Sequence, residues 1–352
     1  LRPDHALNLN LYGTGTWQQP HNELMDRSLG YPANFDSRLT ALTTGLSYEA
    51  FFFNRRLQTA VTAKHFLIGS RAKMLHNFYL RDIKTIHIDR SEWGANFAAC
   101  YRITPLWTVK GSVASEVRIP TSEELLGNSF NILPSPDLLP ERNKSVNAGV
   151  LYRRPFSDDR VWEAEFNVYM SELTDMVRFT PDLLPTMARY TNFGQVRTMG
   201  LEAEVKADVT RWCYLYANGT WQNLRDRRRT FPNSKAPNPT YDLRIPNIPY
   251  LMANFGGELH WADLFGRRQN TRLLLDASYV HRYSYDFEMG AYLEKLIPTS
   301  LTFDAAIEQS FANRRWTLTL KVKNLTDRET VSEFNRPLPG RTCSVKLRYL
   351  LR

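Results

Sequence analysis

The stretch Trp316-Thr317-Leu318-Thr319-Leu320-Lys321-Val322-Lys323-Asn324 decides the fold class. Trp316, Leu318, Leu320 and Val322 fill one register, and Thr317, Thr319, Lys321 and Lys323 fill the other. A period of two sends alternate side chains to opposite faces of a strand, so this segment carries one apolar and one charged face. The last stretch repeats the pattern, setting Cys343, Val345, Leu347, Tyr349 and Leu351 against Ser344, Lys346 and Arg348. Leu201, Ala203, Val205 and Ala207 likewise oppose Glu202, Glu204, Lys206 and Asp208, and Trp162, Ala164, Phe166 and Val168 oppose Glu163, Glu165 and Asn167.

Working outward from these segments gives about fourteen strands, near 5–17, 39–52, 57–69, 91–103, 106–117, 142–153, 160–173, 197–209, 211–224, 249–261, 270–284, 298–310, 314–326 and 341–351. Short links such as Asn54-Arg55-Arg56, Ile103-Thr104-Pro105 and Ala312-Asn313 alternate with long ones at 18–38, 70–90, 118–141, 174–196, 225–248, 285–297 and 327–340. Tight turns on one side and long loops on the other are the habit of an outer-membrane barrel. Strands of this length suit a tilted crossing of the hydrocarbon layer, whereas soluble strands usually run about five or six residues. The expectation is therefore an all-β, antiparallel transmembrane β-barrel in the bacterial outer membrane. A soluble all-β binding module is the rival on alternation alone.

Composition agrees. Seventeen Tyr, nineteen Phe and eight Trp suit strands and interfacial belts. The chain lacks about 18 consecutive apolar residues, which excludes a helical span but not a barrel, whose strands average to a polar hydropathy; the mean hydropathy is −0.43. Cys100, Cys213 and Cys343 are far apart with no CxxC spacing, so no metal site or disulfide framework is expected. The net charge of +9 is spread along the chain rather than gathered on one patch, which argues against nucleic acid. No nucleophile elbow, phosphate loop or HExxH appears, and neither enzyme activity nor a cofactor is expected. The chain opens on Leu1 without a basic-then-apolar leader and is expected to be a piece of something longer.

Several phrases, in order, resemble those of TonB-dependent outer-membrane receptors. Val117-Arg118-Ile119-Pro120-Thr121-Ser122-Glu123-Glu124-Leu125-Leu126-Gly127 is similar to the family's FRAPTxEELYG box, and Pro136-Asp137-Leu138-Leu139-Pro140-Glu141 to its NPxLxPE box. Tyr190-Thr191-Asn192-Phe193-Gly194 with Gly200-Leu201-Glu202-Ala203-Glu204 resembles YxNxG…GxExE. Ile245-Pro246-Asn247-Ile248-Pro249 resembles LPNxP, Asn324-Leu325-Thr326-Asp327 resembles NLxD, and Pro337-Leu338-Pro339-Gly340-Arg341 resembles PLPGR. The resemblance implies that residues 1–352 are about 14 of the strands of a 22-stranded plugged barrel, with the plug domain and first strands outside the chain. It also implies uptake of a scarce nutrient such as a ferric siderophore, cobalamin or oligosaccharide, energised by the TonB complex through that plug. A self-contained diffusion channel closed by about fourteen strands is the alternative. The ending Tyr349-Leu350-Leu351-Arg352 departs from the family's usual terminal aromatic. Haem receptors of this family carry a histidine between the two boxes; residues 118–141 hold none, so haem cargo is disfavoured.

Most motif residues read as backbone geometry rather than recognition: Arg118, Pro120, Glu123, Pro140, Glu141, Asn192, Gly194, Gly200, Asn324, Asp327, Pro339, Gly340 and Arg341. Glu202, Glu204, Lys206, Asp304, Glu308, Lys321, Lys323, Lys346 and Arg348 share the inward register. Ligand contacts are expected in the long loops. His76, Phe78, Tyr79, Arg81 and Lys84 combine aromatic faces with positive charge, and the cluster of Arg225 with Arg227, Arg228 and Arg229 could meet lipopolysaccharide phosphates or an anionic ligand.

Overall fold

A computed structural model describes residues 4–19, 23, 27, 36–77, 82–128, 132–181, 188–230, 235–287, 296–333 and 336–351, with backbone alone at 74–77, 82–83, 181 and 333. Fourteen strands form one antiparallel sheet in which every strand pairs with its sequence neighbours in the wall. They are β1 (His5–Gln18), β2 (Ser37–Phe52), β3 (Leu57–Asn77), β4 (Asp82–Arg102), β5 (Trp107–Arg118), β6 (Glu141–Pro155) and β7 (Val161–Thr174). β8 (Val196–Thr210), β9 (Cys213–Asp226), β10 (Leu251–Ala262), β11 (Asn270–Val280), β12 (Ser300–Phe311), β13 (Trp316–Lys323) and β14 (Thr342–Tyr349) complete them. No register joins β1 to β14 among the described residues, so the alternative of a channel closed by fourteen strands is not what this sheet forms.

The strand count and order follow from the alternation. One row of directly paired residues, Val61, Phe97, Val113, Val146, Met170 and Met199, crosses β3 to β8 on a single face. In water such a face would be folded inward, yet Val61, Val113, Val146, Val205, Phe255 and Leu275, all within the sheet, remain 46 to 56% exposed. Apolar surface on this scale needs a nonaqueous neighbour. From Leu57 to Leu67 the outer register of β3, apolar but for Thr59 and His65, covers ten residue steps, roughly 33 Å along the strand and about 25 Å along the normal at a tilt of about 40°, the height of a barrel's lipid band. The soluble alternative is thereby excluded.

The short-turn end is ringed with exposed aromatics, among them Phe52, Trp107, Trp162, Trp212, Trp316 and Tyr349. Trp107 packs on Tyr152 at 4.9 Å between ring centres, and Trp316 on Tyr349 at 4.4 Å, a girdle that places rings where lipid meets water. The turns themselves are tight: Phe53, Asn54 and Arg55, and again Ala312, Asn313 and Arg314, take positive φ in succession.

One boundary needs correction. The expected long loop 70–90 is mostly strand, because β3 runs on to Asn77 and β4 begins at Asp82, with registers continuing through Lys73↔Thr85. Above the lipid the outer register turns polar, through Arg71 and Lys73, so the apolar-versus-polar contrast that revealed the strand lower down disappears there. The loops 118–141 and 174–196 also hold structure of their own: helix α1 (Ser122–Leu126) and a small sheet of Ile132–Leu133, Val177–Pro181 and Ala188–Asn192.

Candidate functional site

The long-loop end carries a braced cap, and the motif residues build it. Arg118 ends β5 directly opposite Glu141 at the start of β6. Its Nε donates to Glu141 at 2.6 Å and its Nη1 to Glu124 at 2.9 Å, so one guanidinium closes the loop at its neck and holds the helix within it. After buried Pro120, Thr121 caps α1: its hydroxyl accepts from the Glu124 N–H at 3.3 Å, while the Glu124 carboxylate accepts from the Thr121 N–H at 2.7 Å. Glu123 is exposed, and its carbonyl accepts from the Gly127 N–H at 2.8 Å to end the helix. Burial alone would push the Glu124 carboxyl up, but the hydrogen bonds from Arg118 and Thr121 outweigh it and hold the group below the ordinary carboxylate range.

This helix has a destination. Leu125, Leu126 and Leu138 are buried against Leu39, Ile68 and Ala72 of β2 and β3, so the loop folds back onto the inner face of the wall. Gln18 donates to the Gly127 carbonyl at 3.2 Å and Arg90 to the Asp137 carbonyl at 3.2 Å, fastening the loop from β1 and β4 as well.

The second long loop is tied to the first by Asn192. Its Oδ1 accepts from the Leu139 N–H at 2.9 Å and its Nδ2 donates to the Leu139 carbonyl at 3.0 Å, as a paired strand residue would. The same Nδ2 reaches the Asp175 carbonyl at 2.7 Å. Buried Pro140 directs the chain from this contact to Glu141, whose second oxygen accepts from the Val177 N–H at 2.6 Å. Three separated phrases are therefore parts of one brace.

The third loop docks on the second through arginine. Asp226, with no exposed side-chain surface, accepts from Arg228 Nη2 at 2.5 Å, the Arg228 N–H at 2.9 Å, Thr240 Oγ1 at 2.6 Å and Asn238 Nδ2 at 3.1 Å. Burial would raise this carboxyl; the bonds from Arg228, Thr240 and Asn238 outweigh that and hold it low. The Arg228 guanidinium lies 3.6 Å from the centre of the Phe193 ring, and its stem crosses Gly194, whose φ is +103° and where a Cβ would meet Arg228 Cδ at 2.6 Å. Gly200 serves close approach too, since a Cβ there would meet the Tyr169 ring at 2.3 Å.

The cluster read from sequence as an anion site is thus largely committed within the loop. Arg227 pairs with Asp242 at 2.5 Å, Arg225 with the same carboxylate at 3.3 Å, and Arg228 with Asp226; Arg229 is exposed. Nothing in the local sequence named Asp226, Asn238, Thr240 or Asp242 as partners; only the folded loop brings them together. Of the other expected contacts, Lys84 is exposed on β4 rather than in a loop, His76 lies within β3 with only its backbone described, and Phe78, Tyr79 and Arg81 lie outside the described residues.

Inside the wall, Glu202, Glu204 and Lys206 stand opposite Asn167, Glu165 and Glu163. Lys206 pairs with Glu204 at 2.6 Å, and Lys110 with Glu165 at 2.5 Å. Arg272 joins Glu258 and, at 3.5 Å, Glu308. Asp304 accepts from the Asn324 N–H at 2.9 Å, and Arg348 donates to Thr317 at 3.4 Å. Lys321 faces Ser344, Lys323 faces Thr342, and Lys346 faces Thr319, all on the register opposite Leu320 and Val345. Asn324 also folds its own loop, accepting from the Arg328 N–H at 3.0 Å and donating to its carbonyl at 2.7 Å. Asp327 accepts from the Arg341 N–H at 2.7 Å beside exposed Pro339 and Gly340, leading the chain into β14.

An open antiparallel wall, lipid-facing apolar residues, an internal charge lattice and a braced loop cap describe a receptor barrel. The model for the TonB dependent receptor-like β-barrel matches residues 33–325. The chain belongs to this family. Barrels of this family lie in the outer membrane and are not enzymes. Among solved structures the sheet is similar to the FrpB iron transporter of Neisseria meningitidis, at 12% identity and a TM-score of 0.72, covering 99% of this chain and 53% of that one. The copper transporter OprC gives 15% identity and a TM-score of 0.70 over 98% and 54% of the two chains. The ferric citrate transporter FecA gives 14% and 0.69 over 97% and 51%. The chain thus spans about half the length of these structures. No curated protein matches it by sequence.

Proposed function

We propose that this receptor barrel forms wall and extracellular loops of a transporter that captures a scarce nutrient outside the cell and imports it with energy from TonB. The family match across 33–325 carries the reading. The braced cap supports it: loops held to one another and to the inner wall offer a preorganised rim, which lowers the ordering cost of binding. Residues 1–352 are read as one barrel domain working with a plug and further strands elsewhere in the protein. Metal chelates lead the cargo classes, since similar folds include a ferric preacinetobactin receptor and the ferric citrate transporter. Cobalamin and oligosaccharides follow. Lys84, exposed near the start of β4, and Arg229, exposed in the third long loop, are proposed as ligand contacts, and the inner charges as the surface that meets the plug.

The test uses the native protein in its outer membrane. Cells with and without it are compared for uptake of radio-iron supplied as ferric citrate, ferric catecholate and ferric hydroxamate chelates, each repeated in a strain lacking TonB. Uptake of one chelate that requires both protein and TonB is expected. Uptake that persists without TonB and accepts any small solute would establish a diffusion channel and overturn the proposal.

A further inference from the structure

The outer rim of β2, β3 and β4 holds an arrangement that folding alone does not account for. Arg38 and Arg71 are directly paired across the two strands, and Arg71 is paired in turn with His87. Opposed residues on one face stand about 5 Å apart at Cβ, where like charges destabilise a sheet. Lys73 follows Arg71 on the same face. Among the described residues no carboxylate pairs with Arg38, Arg71 or Lys73; His87 pairs with Asp89 at 3.0 Å.

A groove lies just membrane-ward of this row. Its volume is about 540 Å³, and Thr40, Leu42, Leu67, Gly69, Asp89 and Ser91 line it. Gly69 keeps it open, because a Cβ there would sit 3.1 Å from Thr40 Oγ1 and 3.2 Å from Asp89 Oδ1. Exposed Leu42 and Leu67 mark its lower side. Interfacial rings flank it: Trp17 under the Arg38 guanidinium at 5.2 Å, and Trp93 stacked on His65 at 4.2 Å. From lipid upward the order is apolar wall, groove, cations.

We propose that this row and groove form a docking site for a phosphorylated lipid of the outer leaflet. Its phosphate would sit between Arg38 and Arg71, whose planar forks match phosphate oxygens, and an acyl chain would lie along Leu42 and Leu67. Charge complementarity selects an anion, and the apolar lower half selects a lipid over a free ion. The site rests on the outward facing of this register and not on which nutrient the barrel carries.

Native mass spectrometry of the full-length protein, extracted in mild detergent and titrated with lipid A, tests this. The wild type is expected to retain lipid A and to ignore lipid A stripped of its phosphates. Arg38→Gln with Arg71→Gln should weaken retention by about tenfold or more, the scale of losing charge-assisted hydrogen bonds. Gly69→Val, which fills the groove and leaves the arginines, should weaken it as well. Arg71→Lys keeps the charge without the fork and should fall between, which serves if the double variant fails to fold. Undiminished retention in the folded arginine variants overturns the proposal. So does displacement of lipid A by millimolar orthophosphate, which would assign the row to a free anion.

Discussion

Replacing Asp226 with alanine should unfasten two extracellular loops while leaving the wall intact. The carboxylate accepts from the Arg228 N–H, from Arg228 Nε at 3.0 Å and Nη2 at 2.5 Å, from Asn238 Nδ2 at 3.1 Å and from Thr240 Oγ1 at 2.6 Å. Alanine abandons a guanidinium only 16% exposed, together with a buried amide and a buried hydroxyl. Removing one partner of a buried pair costs about 3–5 kcal/mol. Because the loops open as a local unit, the loss should appear as roughly 150- to 5000-fold faster amide exchange there rather than as global unfolding. Hydrogen exchange read by mass spectrometry would compare peptides spanning 223–245 and 188–196 with peptides from β12 and β13. The Asp226→Ala, Arg228→Met pair should recover much of the protection, since an apolar replacement of both partners strands no charge. Less than fivefold acceleration in the single variant, or equal acceleration in the wall, would refute the assigned knot.

Three further outcomes follow from the same structure. Leu320→Lys places a charge on the lipid face and should lower barrel stability in urea titration by about 2–4 kcal/mol, whereas Lys321→Ala, one residue on and inward, should stay within about 0.5 kcal/mol; equal effects would reverse the facing. Asn192→Ala removes both bonds to Leu139 and one to Asp175 and should loosen the first two long loops by about 2–4 kcal/mol, read as faster limited proteolysis there with an unchanged wall. Asp226 and Glu124 have folded pKa values below their unfolded ones, so their stabilisation is complete above the unfolded value of about 4 and is lost as pH falls through the folded one. Loop protection, corrected for intrinsic exchange, should hold from pH 7 to pH 5 and collapse only below about pH 4; a collapse near pH 6 would point to histidine instead.

The wall was legible because its physics is local. Lipid on one side and a polar lumen on the other force a period of two, and the run from Trp316 to Lys323 shows it without any tertiary knowledge. Legibility failed where that contrast vanished. Arg71 and Lys73 extend β3 above the lipid, where the outer face is as polar as a loop, and the strand therefore read as a loop. The cap was legible only as a long loop at 118–141: its helix, Ser122–Leu126, is too short to show a period, and the clamp of Arg118 on Glu141 joins residues 23 apart in sequence. The Asp226 knot was not legible, because a basic run looks alike whether its counter-ions are distant or folded onto it.

Each wall strand touches only the strands before and after it, which gives the sheet the grammar of a linear array. Removing the hairpin β8–β9 would bring β7 beside β10 with antiparallel sense, inner and outer faces and loop sides all preserved. Removing one strand would transpose every later turn to the wrong side of the membrane. Hairpins, not strands, are therefore the currency in which such a wall can lengthen or shorten during evolution, and the loop that rides on each hairpin can be exchanged with it as a cassette.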